Sequence, residues 1–533
     1  MLEQKAREDE RAVTIIETSV AEMRTALDRG DYTIRALTEA CIARIQELDR
    51  QGPTLGAVIE INPDALAIAD CLDGELAAGQ SRGPLHGIPI LLKDNIATVD
   101  PMETTAGSLA LVGARPLEDA FLVKRLRDAG VVILGKANLS EWSNFRSEHS
   151  ISGWSARGGQ ALNPYQLDRT PWGSSAGPAV AVAASYVPLA VGTETNGSIV
   201  MPAGVCGVVG IKPTVGLVSR MGVIPISHSQ DTAGPMTRTV ADAAMLLQVL
   251  AAPDPDDQAS HGTPGTPDAP SYPARPADVD VDYLAALDPD GLRGARIGVL
   301  TPFYELSRSG DRILADVIST LREAGAEIVD PVIVPPTADQ KWGAGDISVL
   351  FWEFKADIAE YIERYVSPSF PIRDLEGLIA FNEAHASSEL QWFGQDLFER
   401  AQGMTSLDDP AYVAAIARSQ RCARAEGLDL VLTDHRLDAV IALTNGPAPK
   451  IDLLNGDSSS HGSSGLAARA GYPLITVPAA HIGGMPIGLT FMGGAYSEAT
   501  LICLAYAFEQ RTKARRPPEF VPAGVHPPEM PVA

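Results

Sequence analysis

The sequence has few cysteines, no long apolar run and many fewer basic than acidic residues. Its five cysteines form no Cys-x-x-Cys pair among 533 residues, which argues against a disulfide framework or a structural zinc site and favours a reducing compartment. No uncharged apolar run reaches the ~20 residues of a membrane helix, and the charged N-terminus lacks the apolar core of a signal peptide. With 42 basic and 67 acidic residues the net charge is −25, which disfavours binding to nucleic acid or to an anionic membrane. These absences predict a cytoplasmic protein that binds neither nucleic acid nor a membrane.

Apolar residues make up 45% of the chain, and their spacing alternates between the periods of strands and helices. Residues 87–92 and 131–134 read as buried strands, and residues 118–129 between them read as a helix. This alternation is typical of an α/β protein with a buried sheet that carries helices on both faces.

Three further segments stand out from this alternation. Residues 1–60 are predicted to form a helical N-terminal segment, and residues 340–430 to be mainly helical. Residues 253–276 are rich in proline and poor in apolar residues. This stretch either links two domains or leaves one sheet as a surface loop. We favour the loop, and with it a single domain over residues 1–533.

Three polar segments follow apolar stretches. The first, residues 87–95, ends on Lys93-Asp-Asn; the second, residues 172–177, contains Ser174 and Ser175; the third, residues 192–198, ends on Ser198. Taken singly, a lysine at the end of an apolar segment is most often a surface side chain. Serines in short polar segments most often belong to turns or helix caps.

Together, the three segments indicate nucleophilic chemistry. A serine is a poor nucleophile unless a base removes its proton, and the sequence contains neither a Gly-x-Ser-x-Gly elbow nor an evident Ser-His-Asp pattern. A buried lysine supplies such a base, because desolvation disfavours its charged form and lowers its pKa. A second serine would then relay the proton between the lysine and the nucleophile.

At these segments the chain resembles the amidase signature hydrolases, from about residue 35 to residue 510. The family's lysine lies in a Gly-x-Pro-x-x-x-Lys-Asp-Asn segment, which maps it to Lys93. Its bridging serine is the first of a Gly-Gly-Ser-Ser loop and maps to Ser174, and its nucleophile maps to Ser198 in Gly-Thr-Glu-Thr-Asn-Gly-Ser. The flanking segments, including Asp231-Thr-Ala-Gly-Pro, also resemble the family.

The resemblance implies a large mixed, mostly parallel twisted sheet and an acyl-enzyme mechanism with a Ser–cis-Ser–Lys triad. The cis bond would be Gly173–Ser174. Backbone N–H groups of an oxyanion hole would come from Thr195, Asn196, Gly197 and Ser198, with Ser175 and Glu194 in support. Helices within residues 340–430 would wall the substrate channel, and no cofactor or metal is implied.

The substrate stays open among several alternatives. The residues 138–146 and Asn196 look most like the peptide amidase branch, which removes the C-terminal amide of peptides. The same triad would also serve aryl or fatty acyl amides, esters or carbamates. The fold also occurs in amidotransferase subunits that supply ammonia to a partner. A homo-oligomer is left open, as is His228, which either lines the substrate pocket or is structural.

Overall fold

The computed structural model describes residues 13–261, 271–276, 281–300, 307–334, 348–458 and 462–524. An eleven-stranded sheet has the order β1-β3-β2-β6-β8-β7-β12-β13-β11-β9-β10, and β4 and β5 form a separate pair. The strands are β1 Val58–Ile61, β2 Pro89–Lys93, β3 Val132–Ala137, β4 Trp154–Ser155, β5 Gly159–Gln160, β6 Leu189–Glu194, β7 Val209–Lys212, β8 Thr232–Thr237, β9 Arg296–Leu300, β10 Glu327–Val332, β11 Ala439–Leu443, β12 Leu474–Ile482 and β13 Met485–Met492.

Helices precede, connect and cover these strands. The α-helices are α1 Val20–Arg29, α2 Ile34–Ile45, α3 Ala65–Ala77, α4 Phe121–Asp128, α5 Ala176–Ala183, α6 Val200–Val205, α7 Val240–Leu250, α8 Gln258–His261, α9 Arg308–Glu323, α10 Ser348–Tyr365, α11 Leu375–Ala384, α12 Ala386–Glu389, α13 Asp396–Gln402, α14 Pro410–Ala423, α15 Asp429–Asp434, α16 Gly465–Ala470 and α17 Glu498–Thr512. Residues 1–12, 262–270 and 340–347, which belong to the three segments singled out in the sequence, lie outside the described residues.

The predicted α/β architecture with a large mixed sheet is confirmed. Every residue of β2, β3, β6, β8, β11 and β13 is buried, so both faces of these strands are covered. The hydrophobic core extends over most of the chain as one cluster.

Parallel pairing is less extensive than the sequence suggested. It joins β2 to β3 and β6 on one side and β9 to β10 and β11 on the other. The strands between these two blocks pair antiparallel. One physical reason is the turn Gly483–Gly484, where both residues have positive φ and close β12 and β13 into a hairpin.

Candidate active site

The site lies where two neighbouring parallel strands end. Strands β2 and β6 pair in register, with Leu92 opposite Val191, so their carboxyl ends meet at the same edge of the sheet. Lys93 is the last residue of β2 and Glu194 the last of β6. In open α/β sheets this edge is the usual place for a ligand.

Lys93 is completely buried and lies beside hydroxyl groups. Its Nζ is 2.7 Å from Ser174 Oγ and 2.8 Å from Thr193 Oγ1. Burial lowers the pKa of Lys93 to about 7, although the negative charges of Asp231 and Glu194 act in the opposite direction. At neutral pH a large fraction of this amine is therefore uncharged and able to accept a proton from Ser174.

The two serines of the second segment lie just before α5. The Gly173–Ser174 peptide bond is cis, as the resemblance implied. Ser175 Oγ donates to the Thr193 carbonyl at 3.0 Å and accepts from the Thr193 N–H at 3.2 Å, so it joins this loop to β6. The Ser175 N–H donates to the carbonyl of Ser198 at 3.0 Å, which brings the loop against the proposed nucleophile.

Ser198 lies in the turn between β6 and α6 and is 8% exposed. Within the described residues its hydroxyl makes no hydrogen bond to that of Ser174. Catalytic hydrogen bonds are often long without substrate and tighten when substrate binds. The structure therefore brings Lys93 and Ser174 into contact and places Ser198 beside the serine loop.

The turn before Ser198 is held by Glu194. The carboxylate of this buried residue accepts from the N–H groups of Gly197 at 2.7 Å, Ile199 at 2.8 Å and Val200 at 3.1 Å. Burial raises the pKa of Glu194, against the effects of Lys212 and these three donors. Gly197 has a φ of 84°, a conformation that favours glycine.

This arrangement changes the expected oxyanion hole. Because the Gly197 N–H already donates to Glu194, it is not free for a substrate oxygen in this structure. The N–H groups of Thr195, Asn196 and Ser198 make no hydrogen bond within the described residues, so these three donors on the turn are available. Of the four predicted donors, the Gly197 N–H is the one already bonded within the turn.

Three neighbours of the site were not found by sequence reasoning. Thr193 contacts Lys93 directly, Asp231 accepts from the Thr195 hydroxyl at 2.5 Å, and Ser464 donates to the exposed Asn196 side chain at 2.7 Å. Thr193 and Asp231 lie within segments that resemble the family, which was a usable signal. Ser464 is far along the chain, and no local pattern points to it.

A further candidate from the sequence is His228, which lines a cavity together with Asp231. In the described part of the chain, no group of three or more His, Cys, Asp or Glu side chains is arranged to hold a metal ion. None of the described helices is long and apolar enough to cross a membrane.

Comparison with known proteins identifies the family. The amidase family profile matches residues 36–502, and the chain belongs to this family. A probable amidase of Arabidopsis thaliana is 39% identical, with 95% of this chain and 92% of that protein covered. A glutamyl-tRNA(Gln) amidotransferase subunit of Chloroflexus aurantiacus is 34% identical, with 93% and 96% covered.

One solved structure shows which branch of the family the chain resembles. The native peptide amidase from Stenotrophomonas maltophilia is 51% identical and superimposes with a TM-score of 0.88, over 95% of this chain and 99% of that one. The protein is therefore an amide-hydrolysing enzyme of the amidase family that is similar to peptide amidase.

Proposed function

We propose that the enzyme hydrolyses the C-terminal amide of peptides, or a similar primary amide, and releases ammonia through an acyl-enzyme on Ser198. The observation that carries this proposal is the buried Lys93 amine in hydrogen-bond contact with Ser174, next to the turn that presents Ser198. The likeness to a peptide amidase supports the choice of substrate.

In the proposed mechanism Ser198 Oγ attacks the amide carbonyl while its proton passes to Ser174 and a proton from Ser174 passes to neutral Lys93. Backbone N–H groups of Thr195, Asn196 and Ser198 on the turn stabilise the oxyanion, where one such donor is typically worth about 3 kcal/mol. The relay then returns a proton to the leaving nitrogen, because an amine leaves poorly without one. Water then attacks the acyl-enzyme and gives a proton to the relay through Ser174 to Lys93, and the relay returns a proton to Ser198 Oγ as the acid leaves.

Ammonia release from a panel of substrates tests the proposal. The panel contains an N-protected peptide amide, a primary fatty acyl amide, an anilide, an ester and glutamine. We expect ammonia from the peptide amide, with activity reduced by at least about a thousandfold in Ser198→Ala. Undiminished activity in Ser198→Ala would overturn the mechanism, and turnover of only the anilide or ester would overturn the substrate.

A second function is favoured by a specific observation, the 34% identity to an amidotransferase subunit over nearly the whole chain. In that case the same site would release ammonia from glutamine for a second protein. Glutamine hydrolysis without peptide amide hydrolysis, together with co-purification of a second chain, is the result that would favour it.

A further inference from the structure

The cavity lined by Asp231 and His228 contains none of the three proposed triad residues in its lining. Its volume is about 310 Å³, enough for a large side chain. One wall is α10, and another is the segment 221–225. That segment is bonded to the residues that follow Lys93: the Ile224 N–H donates to the Asn95 carbonyl, and the Ala97 N–H donates to the Gly222 carbonyl, each at 2.8 Å.

Asp231 connects this cavity with the proposed chemistry. It lines the cavity, and its Oδ1 accepts from the hydroxyl of Thr195, three residues before Ser198. The Asp231–Thr195 hydrogen bond therefore links the cavity lining to the turn that presents Ser198.

The charges around the cavity do not cancel. Its lining contains five carboxyl groups and three cationic side chains. Each cationic side chain is already paired with one of these carboxylates: Arg220 with Asp257 at 2.5 Å, Arg364 with Asp256 at 2.6 Å, and His228 with Asp357 at 2.8 Å. Burial alone would lower the pKa of His228, but Glu353 and Asp357 raise it to about 9, so this histidine counts as a cation at neutral pH.

Two carboxylates of the lining, Asp231 and Glu360, form no ion pair with its cationic side chains. Asp231 accepts from Thr195 and from the N–H groups of Ile226 and Ser227, but it forms no ion pair within the described residues. Glu360, an exposed residue of α10, makes neither a hydrogen bond nor an ion pair there. Asp231 is 9% exposed and lies at the inner wall of the cavity, whereas Glu360 is exposed and lies at its rim.

A mostly buried carboxylate that faces a cavity without a countercharge is costly, and a cation that enters the cavity relieves this cost. An anionic group would meet the opposite effect, since the excess of carboxyl groups over cationic side chains in the lining would repel it. The cavity therefore discriminates by charge as well as by size.

We propose that this cavity is the subsite for a positively charged group of the substrate, such as the side chain of a lysine or arginine near the scissile amide. This inference rests on the proposed function and deepens it, because it names the class of peptide amide that the enzyme prefers. Asp231 and Glu360 would be the specificity-determining residues, and the stem of the side chain would lie against Met221 and Tyr361.

Matched peptide amides test the proposal. Lysine, norleucine or glutamate is placed at the amide-bearing residue or at the residue before it, and kcat/KM is measured for each. At one of these positions we expect lysine to exceed norleucine by about fivefold and glutamate to be poorest. In Glu360→Gln the lysine-to-norleucine ratio should fall toward one. The matched variant Glu363→Gln removes an exposed charge from the same helix but not from the cavity lining, and it should keep the ratio.

Binding to Ser198→Ala gives a readout that does not need turnover. By calorimetry, the lysyl peptide amide should bind about fivefold more tightly than the norleucyl one, and Glu360→Gln in the same background should remove the difference. Equal binding of the two, or a preference that Glu360→Gln leaves intact, would overturn the subsite. Ser198-dependent hydrolysis of norleucyl amides without any lysine preference would overturn the subsite alone. Absence of amide hydrolysis would count against the proposed function instead.

Discussion

At the scale of single residues, the environment of Lys93 decides whether the proposed relay works. Burial lowers its pKa to about 7, and the nearby negative charge of Asp231 raises it. A lysine base is active only when neutral, so activity should be present above this pKa and lost as pH falls through it. The acid limb of the pH profile of kcat/KM is therefore expected near pH 7.

Substituting Asp231→Asn should move this acid limb to lower pH. The substitution removes a negative charge that stabilises protonated Lys93, so the pKa of Lys93 falls further. We expect a shift on the order of half a pH unit, measured with an uncharged peptide amide from pH 5 to pH 9.

Thr195→Ser is the matched control, because it keeps the hydroxyl group that donates to Asp231 and with it the ionised carboxylate. It should leave the acid limb in place. An acid limb that stays in place in Asp231→Asn, or moves to higher pH, would show that Asp231 does not act on Lys93 electrostatically.

At the scale of secondary-structure elements, α5 approaches the sheet so closely that it fixes the serine loop before it. A Cβ atom at Gly177 would lie 2.3 Å from the Asn138 carbonyl oxygen and 2.4 Å from that of Ala57. Both are backbone atoms, which cannot move without shifting β3 or the residues before β1. The absence of a side chain at this position therefore sets the distance between Ser174 and the sheet edge.

Gly177→Ala should destabilise the protein by about 2–4 kcal/mol, because overpacking against backbone forces α5 outward. The control is Gly74→Ala in α3, where a Cβ meets nothing within 4 Å. That substitution should stabilise by about 0.5–1 kcal/mol, since alanine favours a helix interior. Urea unfolding of both variants checks the pair, and equal stability of the two would contradict the packing argument.

Helix α17 supplies an N-terminal cap to α7 through a carboxyl group. Glu509 Oε1 accepts from the Val240 N–H at 2.8 Å, and burial raises the pKa of Glu509 to about 7. A carboxyl whose pKa is higher in the folded than in the unfolded state adds stability below the unfolded pKa, which is about 4.3. This contribution is lost as pH rises toward 7.

Glu509→Gln keeps an acceptor oxygen for the cap and removes the titration. Relative to the wild type, the variant should therefore become more stable by about 1–2 kcal/mol between pH 5 and pH 7.5. Melting temperatures of both proteins across this range provide the measurement. A difference between them that stays constant with pH would show that Glu509 titrates alike in the folded and unfolded protein.

Local patterns in the sequence were enough to predict the elements that carry the site. The buried apolar strand before Lys93 and the hydroxyl-rich turns at Ser174 and Ser198 are short-range features, and the motifs resemble the family. Contacts such as Ser464 with Asn196 or Asp231 with Thr195 join distant parts of the chain. They depend on how the antiparallel centre of the sheet packs, which strand and helix periodicity does not encode.

At the scale of the whole molecule, the charge of the surface bears on which substrates arrive quickly. The net charge of −25 creates a negative potential around the enzyme, and two unpaired carboxylates mark the cavity beside the site. The net charge of the molecule and the charge of the cavity lining therefore both favour a positively charged ligand. The global effect is screened by salt over about 8 Å at physiological ionic strength, whereas contacts within the cavity are screened much less.

Because salt screens the long-range attraction more strongly than the contacts within the cavity, ionic strength separates the two effects. For a lysyl peptide amide, kcat/KM should fall roughly three- to tenfold between 10 mM and 300 mM NaCl, because long-range attraction is lost. The matched norleucyl amide, which carries no charge, should change by less than about twofold. A lysine preference that persists at 300 mM NaCl would then measure the cavity alone. If the two amides respond equally to salt, surface charge plays no part in substrate capture, and any preference for lysine must arise from contacts at Asp231 and Glu360.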